Sequence, residues 1–154
     1  MLIIIPALVS CEDLQSLWII HQSNGALAFR YSYTTKDDCI FYSGPGGYQA
    51  KAQQWANKKK NGYRTLAALW LDQDWMDPYV KTTSNAKTFK SRASEAIARS
   101  CSGTVYVMLL TDTKGLNWHK GTVWDQDEYP NLSSAVTKLI RINPENDDEE
   151  VLKG

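Results

Sequence analysis

The sequence is poor in the residues that bind metals or form dense disulfide networks. It has two histidines, His21 and His119, and three cysteines, Cys11, Cys39 and Cys101, among 154 residues. Neither histidine has a partner at the spacing of a zinc site, and the cysteines are odd in number and widely separated. We therefore expect no metal site. We also expect mostly free thiols, with a single disulfide as the alternative.

The chain also lacks a net charge, since Lys plus Arg and Asp plus Glu each number 17. No overall field draws such a chain to nucleic acid or to an anionic membrane, so an anionic ligand has to be held locally. The basic run Lys58–Lys60 has no neighbouring basic and aromatic stretch, and we interpret it as a solvated helix end. We predict neither nucleic acid nor membrane as a partner.

No apolar run is long enough to span a bilayer. The opening MLIIIPALVSC is apolar, but Pro6 interrupts it and no Lys or Arg precedes it. Its segment LVSC is similar to the cleavage site of a lipoprotein, so a remnant export signal is one interpretation and a buried first strand is the favoured one. The location stays open between the cytoplasm and a delivered or secreted effector.

Strand-like and helix-like segments alternate along the chain. Ile40–Tyr42 and Val105–Leu109 are apolar runs typical of buried, neighbouring strands, and helices are predicted at Tyr48–Lys59 and Arg92–Cys101. Less distinct patterns predict a short helix at residues 11–23 and strands at 26–35, 121–124 and 136–142. The alternation indicates an α/β fold: a single compact domain with a mostly parallel central sheet flanked by helices.

We divide this single domain, residues 1–154, into three parts. Residues 1–38 form an N-terminal extension that packs on the core, residues 39–142 form the core, and residues 143–154 form an acidic C-terminal tail. The tail sequence NPENDDEEVLKG is rich in carboxylates and is predicted to fray.

Ligands of parallel sheets bind beyond the carboxyl ends of the strands, where loops lead into helices. The first such place is FYSGPGG, where Tyr42 and Ser43 leave a strand and Gly44 lets the backbone approach a phosphate at the next helix N-terminus. The spacing is that of neither a Walker loop nor a dinucleotide fingerprint, so a plain tight turn is the alternative.

The second place is the predicted strand end from Trp124 to Glu128, which carries three carboxylates beside aromatic rings. A fixed anion stabilises the positive charge that develops on a sugar when its glycosidic bond breaks, and aromatic rings hold a planar leaving group. A solvated loop is the alternative interpretation. Asp125 and Asp127 fit that alternative better, because such residues shape and solvate turns.

Read in order, these segments resemble the ADP-ribosyl cyclase/NAD glycohydrolase family, and most closely its compact microbial, toxin-like members. The family motifs F-W-S, F-T-L-E, W-x-x-x-S-x-x-F-A and V-x-V-M-L, and a Glu before Asn-Leu, are matched here by IFYSG, YRTLA, FKSRASEAIARSCSGTVYVML and DEYPNL. The order is kept from Cys39 to about Ile142. The dense disulfides and most of the N-terminal helical region of the family are absent.

The resemblance implies an enzyme that cleaves the nicotinamide–ribose bond of NAD⁺, with NAD⁺ as substrate and no cofactor. It assigns Glu128 and Ser94 as catalytic residues. It also assigns substrate binding to Tyr42 and to Phe89, which is preferred over Lys90 at the second tryptophan position of the family. The two strand ends described above add Ser43, Gly44 and Trp124 to the substrate-binding set. In a toxin, an immunity or inhibitor protein is a candidate partner.

Departures from the family pattern refine this expectation. Ala67 stands at the place of the acidic residue that is linked in the family to the balance between cyclisation and hydrolysis, so we expect hydrolysis to dominate. Two other functions stay open. One is a module that binds NAD⁺ or ADP-ribose without turnover, and the other is an RNase-like toxin that uses Glu128 and His119.

Overall fold

Four strands form one sheet at the centre of the computed structural model, which describes residues 36–60, 62–69, 91, 94–110 and 115–154. The strand order is β1 (Ile40–Ser43), β2 (Gly103–Leu109), β3 (Val136–Ile142) and β4 (Glu149–Lys153). The first three strands are parallel, and β4 pairs antiparallel with β3. The predicted α/β fold with a mostly parallel sheet is therefore confirmed, including the neighbouring strands β1 and β2.

Within the described ranges, three α-helices accompany the sheet: α1 (Tyr48–Lys59), α2 (Leu66–Leu69) and α3 (residues 94–100). α1 has the predicted bounds. It begins after Gly47, whose φ of 97° lies in the left-handed region that glycine adopts without strain. α3 lies inside the predicted range of 92–101. The helix predicted at 11–23, the strand predicted at 26–35 and the favoured first strand all lie outside the described residues.

The core has two halves, one on each face of the sheet. β2 alternates between them, with Val105, Val107 and Leu109 packing with α3 and Tyr106 and Met108 packing with α1. A strand covered on both faces needs apolar residues at nearly every position, which is the pattern that the sequence shows. Among the described helices, none is long and apolar enough to cross a membrane.

Cys39 and Cys101 form a disulfide, so the expectation of mostly free thiols is wrong and the single-disulfide alternative holds. Cys39 directly precedes β1, and Cys101 directly follows α3. Packing of α3 on the sheet brings their Cα atoms to 6.1 Å although 62 positions separate them. Sequence spacing alone contains no information on such a contact.

The strand predicted at residues 121–124 is not formed. Gly121 has a φ of 77°, and the Thr122 hydroxyl accepts a hydrogen bond from the backbone N–H of Asp125 at 3.2 Å. This cap turns the chain into a π-helical turn, Trp124–Glu128, followed by a 3₁₀ turn, Tyr129–Asn131. The β-branched residues before Trp124 indicated a strand, but the local cap determines the structure.

The acidic C-terminal segment is ordered rather than frayed, because β4 lies within it. Glu149–Lys153 pairs with the last four positions of β3. Leu152 packs against the core half that contains α3, and Glu150 pairs with the buried Arg141 of β3. Its charged composition is that of an edge strand with one solvated face.

Candidate active site

A cleft of about 620 Å³ lies at the carboxyl ends of β1 and β2, where parallel sheets bind ligands. Tyr42 and Ser43 at the end of β1 line it, with Gly44 from the loop that follows. Ser94 from α3 and Glu128 from the π-helical turn also line it. The structure therefore brings five of the seven predicted site residues together, as the sequence predicted for Tyr42, Ser94 and Glu128.

Glu128 is the buried carboxyl group of this cleft, with only 5% of its surface exposed. Burial raises the pKa of Glu128 to about 8, a side-chain hydrogen bond from Ser94 opposes the rise, and the nearby charge of Asp127 adds to it. Within the described part of the chain, the second carboxyl oxygen, Oε2, has no hydrogen-bond partner. A carboxyl group with one oxygen engaged and one unsatisfied is suited to receive a donor or a positive charge from a ligand.

Tyr42 lies half-buried beside this carboxyl group. Its hydroxyl donates to Oε1 of Gln49 in the first turn of α1 at 3.1 Å. Burial raises the pKa of Tyr42, and the charge of Glu128 raises it further. The phenol therefore stays neutral at physiological pH and presents a fixed ring to the cleft.

Ser43 and Gly44 connect the sheet to α1 along the edge of the cleft. A Cβ atom added at Gly44 would collide with the ring of Tyr48, so only glycine permits this close approach. α1 begins four residues later, at Tyr48, without a side-chain cap. The loop thus places the N-terminus of a 12-residue helix near the cleft, where its dipole favours an anion.

Trp124 does not line the cleft. It is fully buried, and its ring packs with Phe41 at 5.6 Å, Tyr129 at 5.7 Å and Trp118 at 5.8 Å between ring centroids. Of the tryptophans that the structure describes, Trp118 lines the cleft. Phe89, the other predicted aromatic partner, lies outside the described residues.

Sequence reasoning missed Trp118 because it lies in a loop that looked uniformly hydrophilic. The indole N–H of Trp118 donates to Oδ1 of Asp125 at 2.9 Å, and Lys120 and the backbone of Gly121 bind the same carboxylate. These bonds fold the loop back over the π-helical turn. No periodic pattern in the sequence signals these contacts.

The described lining of the cleft favours a cationic ligand when Glu128 is ionised. Of the described residues that line it, none is a lysine or arginine, and Glu128 is the single carboxylate. His119 also lines the cleft. The described ranges contain no group of three or more His, Cys, Asp or Glu side chains that could hold a metal ion.

Comparison with solved structures identifies the fold. No protein-family model matches the sequence, and no curated protein matches it either. The structure is similar to Aplysia cyclase complexed with the substrate NGD and the product cGDPR, with 20% identity, a TM-score of 0.50 and coverage of 78% of this chain and 54% of that one. It is equally similar to a mutant ADP-ribosyl cyclase, with 20% identity, a TM-score of 0.50 and coverage of 71% and 50%. The chain thus spans about half the length of these cyclases and shares the fold of the ADP-ribosyl cyclases.

Proposed function

We propose that the cleft binds NAD⁺ and that the chain hydrolyses it to nicotinamide and ADP-ribose. The observation that carries this proposal is the buried Glu128 carboxyl group, which shares a cleft with Ser94 and Tyr42 on a cyclase-type fold. The similarity in fold supports NAD⁺ chemistry in general. The choice of hydrolysis rests on the residues of this chain.

In the proposed reaction, the bond between C1′ of the ribose and the pyridinium nitrogen breaks. Nicotinamide leaves as a neutral molecule with the electron pair of that bond, and positive charge develops on the ribose. Water then adds to C1′ and loses a proton, so that NAD⁺ and water give nicotinamide, ADP-ribose and H⁺. NAD⁺ is the substrate, and the reaction requires no cofactor.

Glu128 stabilises the developing positive charge when it is ionised. Its raised pKa keeps much of the free protein protonated at neutral pH. A bound pyridinium cation favours the ionised form, so substrate binding displaces the proton. The buried carboxylate then faces a charge that grows in the transition state, in surroundings of low dielectric where the interaction is strong.

The other predicted residues take supporting roles in this proposal. Ser94 orients the carboxyl group and can reach a ribose hydroxyl, and Tyr42 provides a neutral ring. Ser43 and Gly44 hold the pyrophosphate through the backbone at the start of α1. Phe89 and Trp124 were expected to contact nicotinamide. Trp124 is fully buried, so it would contribute by packing behind the residues that line the cleft rather than by contacting nicotinamide.

The first prediction concerns Glu128→Gln. Glutamine keeps the size of the side chain but cannot carry a negative charge, so kcat for nicotinamide release should fall by about 10²- to 10³-fold or more. HPLC of NAD⁺ incubated with each purified protein measures the release. Asp127→Asn is the matched control, because it removes the neighbouring carboxylate from the same turn, and it should retain most of the activity. Equal rates for Glu128→Gln and the unaltered protein would rule out this role.

The second prediction concerns the products. Cyclisation requires adenine to compete with water at C1′, and Ala67 offers no hydrogen bond that could hold the base. We expect ADP-ribose as the main product and little cyclic ADP-ribose. Ala67→Glu should raise the cyclic fraction, and Ala68→Glu in the same helix serves as the control. A mixture dominated by cyclic product in the unaltered protein would contradict this prediction but not NAD⁺ cleavage.

A ribonuclease-like toxin is the second candidate, because His119 and Glu128 line the same cleft. It predicts that His119→Ala abolishes RNA cleavage while NAD⁺ stays intact in the presence of the unaltered protein. A passive NAD⁺-binding module would bind NAD⁺ without releasing nicotinamide. A role as a toxin, with an immunity or inhibitor protein as partner, stays a prediction from the sequence.

A further inference from the structure

Trp118 is a half-buried ring in the cleft whose position is fixed from the protein side. It packs edge-on against Trp124, with ring centroids 5.8 Å apart, and against Tyr129, with centroids 4.6 Å apart. Trp124 begins the π-helical turn that ends at Glu128, and Tyr129 begins the 3₁₀ turn that follows it. The ring of Trp118 is therefore packed on the same structural unit that carries the buried carboxyl group.

Asp125 fixes the ring by a second means. Its Oδ1 accepts from the Trp118 indole N–H and from the Lys120 ammonium, each at 2.9 Å, and its Oδ2 accepts from the Gly121 backbone N–H at 3.0 Å. These hydrogen bonds hold the pKa of Asp125 below its usual value, and the bond from the Gly121 backbone has the largest effect. The carboxylate is thus ionised at neutral pH and can hold the indole in one orientation.

The ring already engages a cation. The Lys120 ammonium lies 5.5 Å from the centroid of the Trp118 ring, within the range of a cation–π interaction. An indole face is the most favourable aromatic surface for a cation. Glu128 adds negative charge in the same cleft when it is ionised, and no lysine or arginine is among the described residues that line it. The wall is suited to a flat, positively charged ring.

We propose that Trp118 is the surface against which the pyridinium ring of NAD⁺ packs, and that Asp125 is the positioning residue that holds Trp118 in place. This inference rests on the proposed function, since it names the contact of the leaving group. It also gives the cleft an aromatic wall that requires no direct contact of the ligand with Phe89 or with the buried Trp124.

The test compares two ligands in the Glu128→Gln background, in which binding is measured without turnover. ADP-ribose lacks the nicotinamide ring, so a contact with that ring affects NAD⁺ alone. Trp118→Ala should weaken NAD⁺ binding about tenfold and change ADP-ribose binding less than about twofold in isothermal titration calorimetry. Leu116→Ala, an exposed residue of the same loop that does not line the cleft, is the control and should change neither.

The positioning role of Asp125 is tested by a double-mutant cycle. Asp125→Asn should weaken NAD⁺ but not ADP-ribose. In Trp118→Phe, which keeps a ring but lacks the indole N–H, Asp125→Asn should have little additional effect. Additive effects, or equal losses for both ligands, would overturn the positioning role, because general destabilisation has that outcome.

The outcomes separate the two proposals. If NAD⁺ binds equally well to Trp118→Ala and to its parent, the contact is wrong whatever the activity. If the unaltered protein binds NAD⁺ but releases no nicotinamide, the glycohydrolase proposal fails, while the comparison of ligands still decides the contact. If the Glu128→Gln parent and the unaltered protein both fail to bind NAD⁺, both proposals are overturned.

Discussion

At the scale of single residues, Glu128 combines two opposing requirements. The proposed reaction needs its ionised form, whereas burial favours its neutral form and raises the pKa to about 8. The fold therefore stabilises the protonation state of the free protein that is less suited to the proposed reaction. Such a conflict is typical of functional sites, where one group is held against its own preference.

The third prediction concerns pH. The folded pKa of about 8 lies above the ordinary glutamate pKa of 4.5, so the folded state binds more protons than the unfolded state at pH values between these two. The stability that this group contributes is complete below about pH 4.5 and is lost as the pH rises through about 8. Activity should change in the opposite direction, with kcat/KM rising to a plateau above about pH 8.

Thermal unfolding of the unaltered protein and of Glu128→Gln measures the stability part of this prediction. The glutamine side chain does not titrate, so the Tm of Glu128→Gln should exceed that of the unaltered protein by an amount that grows from pH 5 to pH 8. A constant difference over this range would show that Glu128 keeps an ordinary pKa.

Part of the site could be predicted because the sequence resembles the ADP-ribosyl cyclase/NAD glycohydrolase family in motifs that lie on recognisable elements. Tyr42 ends an apolar strand, Ser94 lies in a helix of clear periodicity, and Glu128 precedes a proline-containing turn. Trp118 and Asp125 could not be predicted, because their contact depends on how a loop folds back. Loop hydrogen bonds leave no periodic pattern in a sequence.

At the scale of elements, the disulfide joins the two segments that carry site residues. Cys39 leads into β1, which ends at the cleft, and Cys101 ends the segment that begins with α3 and Ser94. Both cysteines are buried. The bond constrains the unfolded chain across 62 positions and also ties the helix to the sheet.

The fourth prediction is that Cys39→Ala, Cys101→Ala and the double variant destabilise the protein by similar amounts, because each loses the same bond. The expected loss is about 2–4 kcal/mol, which lowers the Tm by about 5–15 °C for a domain of this size. Thermal unfolding with and without a reductant measures it. Reductant should lower the Tm of the unaltered protein and leave the Tm of the variants unchanged. A double variant as stable as the unaltered protein would show that the disulfide contributes nothing.

At the scale of the whole molecule, the C-terminal strand belongs to the structure that supports the cleft. The sequence indicated a core that ends at residue 142, followed by an acidic tail. In the structure, the Arg141 guanidinium donates to the carbonyl oxygens of Gly115 at 3.1 Å and Asn117 at 3.2 Å, and it also pairs with Glu150. Glu150 in turn accepts a hydrogen bond from the Gly115 backbone N–H at 2.8 Å.

These contacts connect β4 to the loop that presents Trp118. Arg141 is buried in the sheet, and its charge is balanced by a carboxylate from the segment predicted to fray. Composition alone cannot distinguish such a strand from a solvated tail, because an edge strand also has charged residues on its outer face. The pairing partner, rather than local hydrophobicity, orders β4.

The fifth prediction follows from this connection. Glu150→Gln removes the charge that balances Arg141 and weakens the attachment of the loop at Gly115. The expected loss of stability is about 1.5–3 kcal/mol, the range of hydrogen bonds to charged groups. KM for NAD⁺ should rise more than kcat falls, because the loop carries the proposed binding surface and Glu128 lies elsewhere. Glu149→Gln, an exposed position of the same strand, should change neither quantity. If Glu150→Gln lowered the Tm but left KM for NAD⁺ unchanged, β4 would support the fold without supporting the cleft.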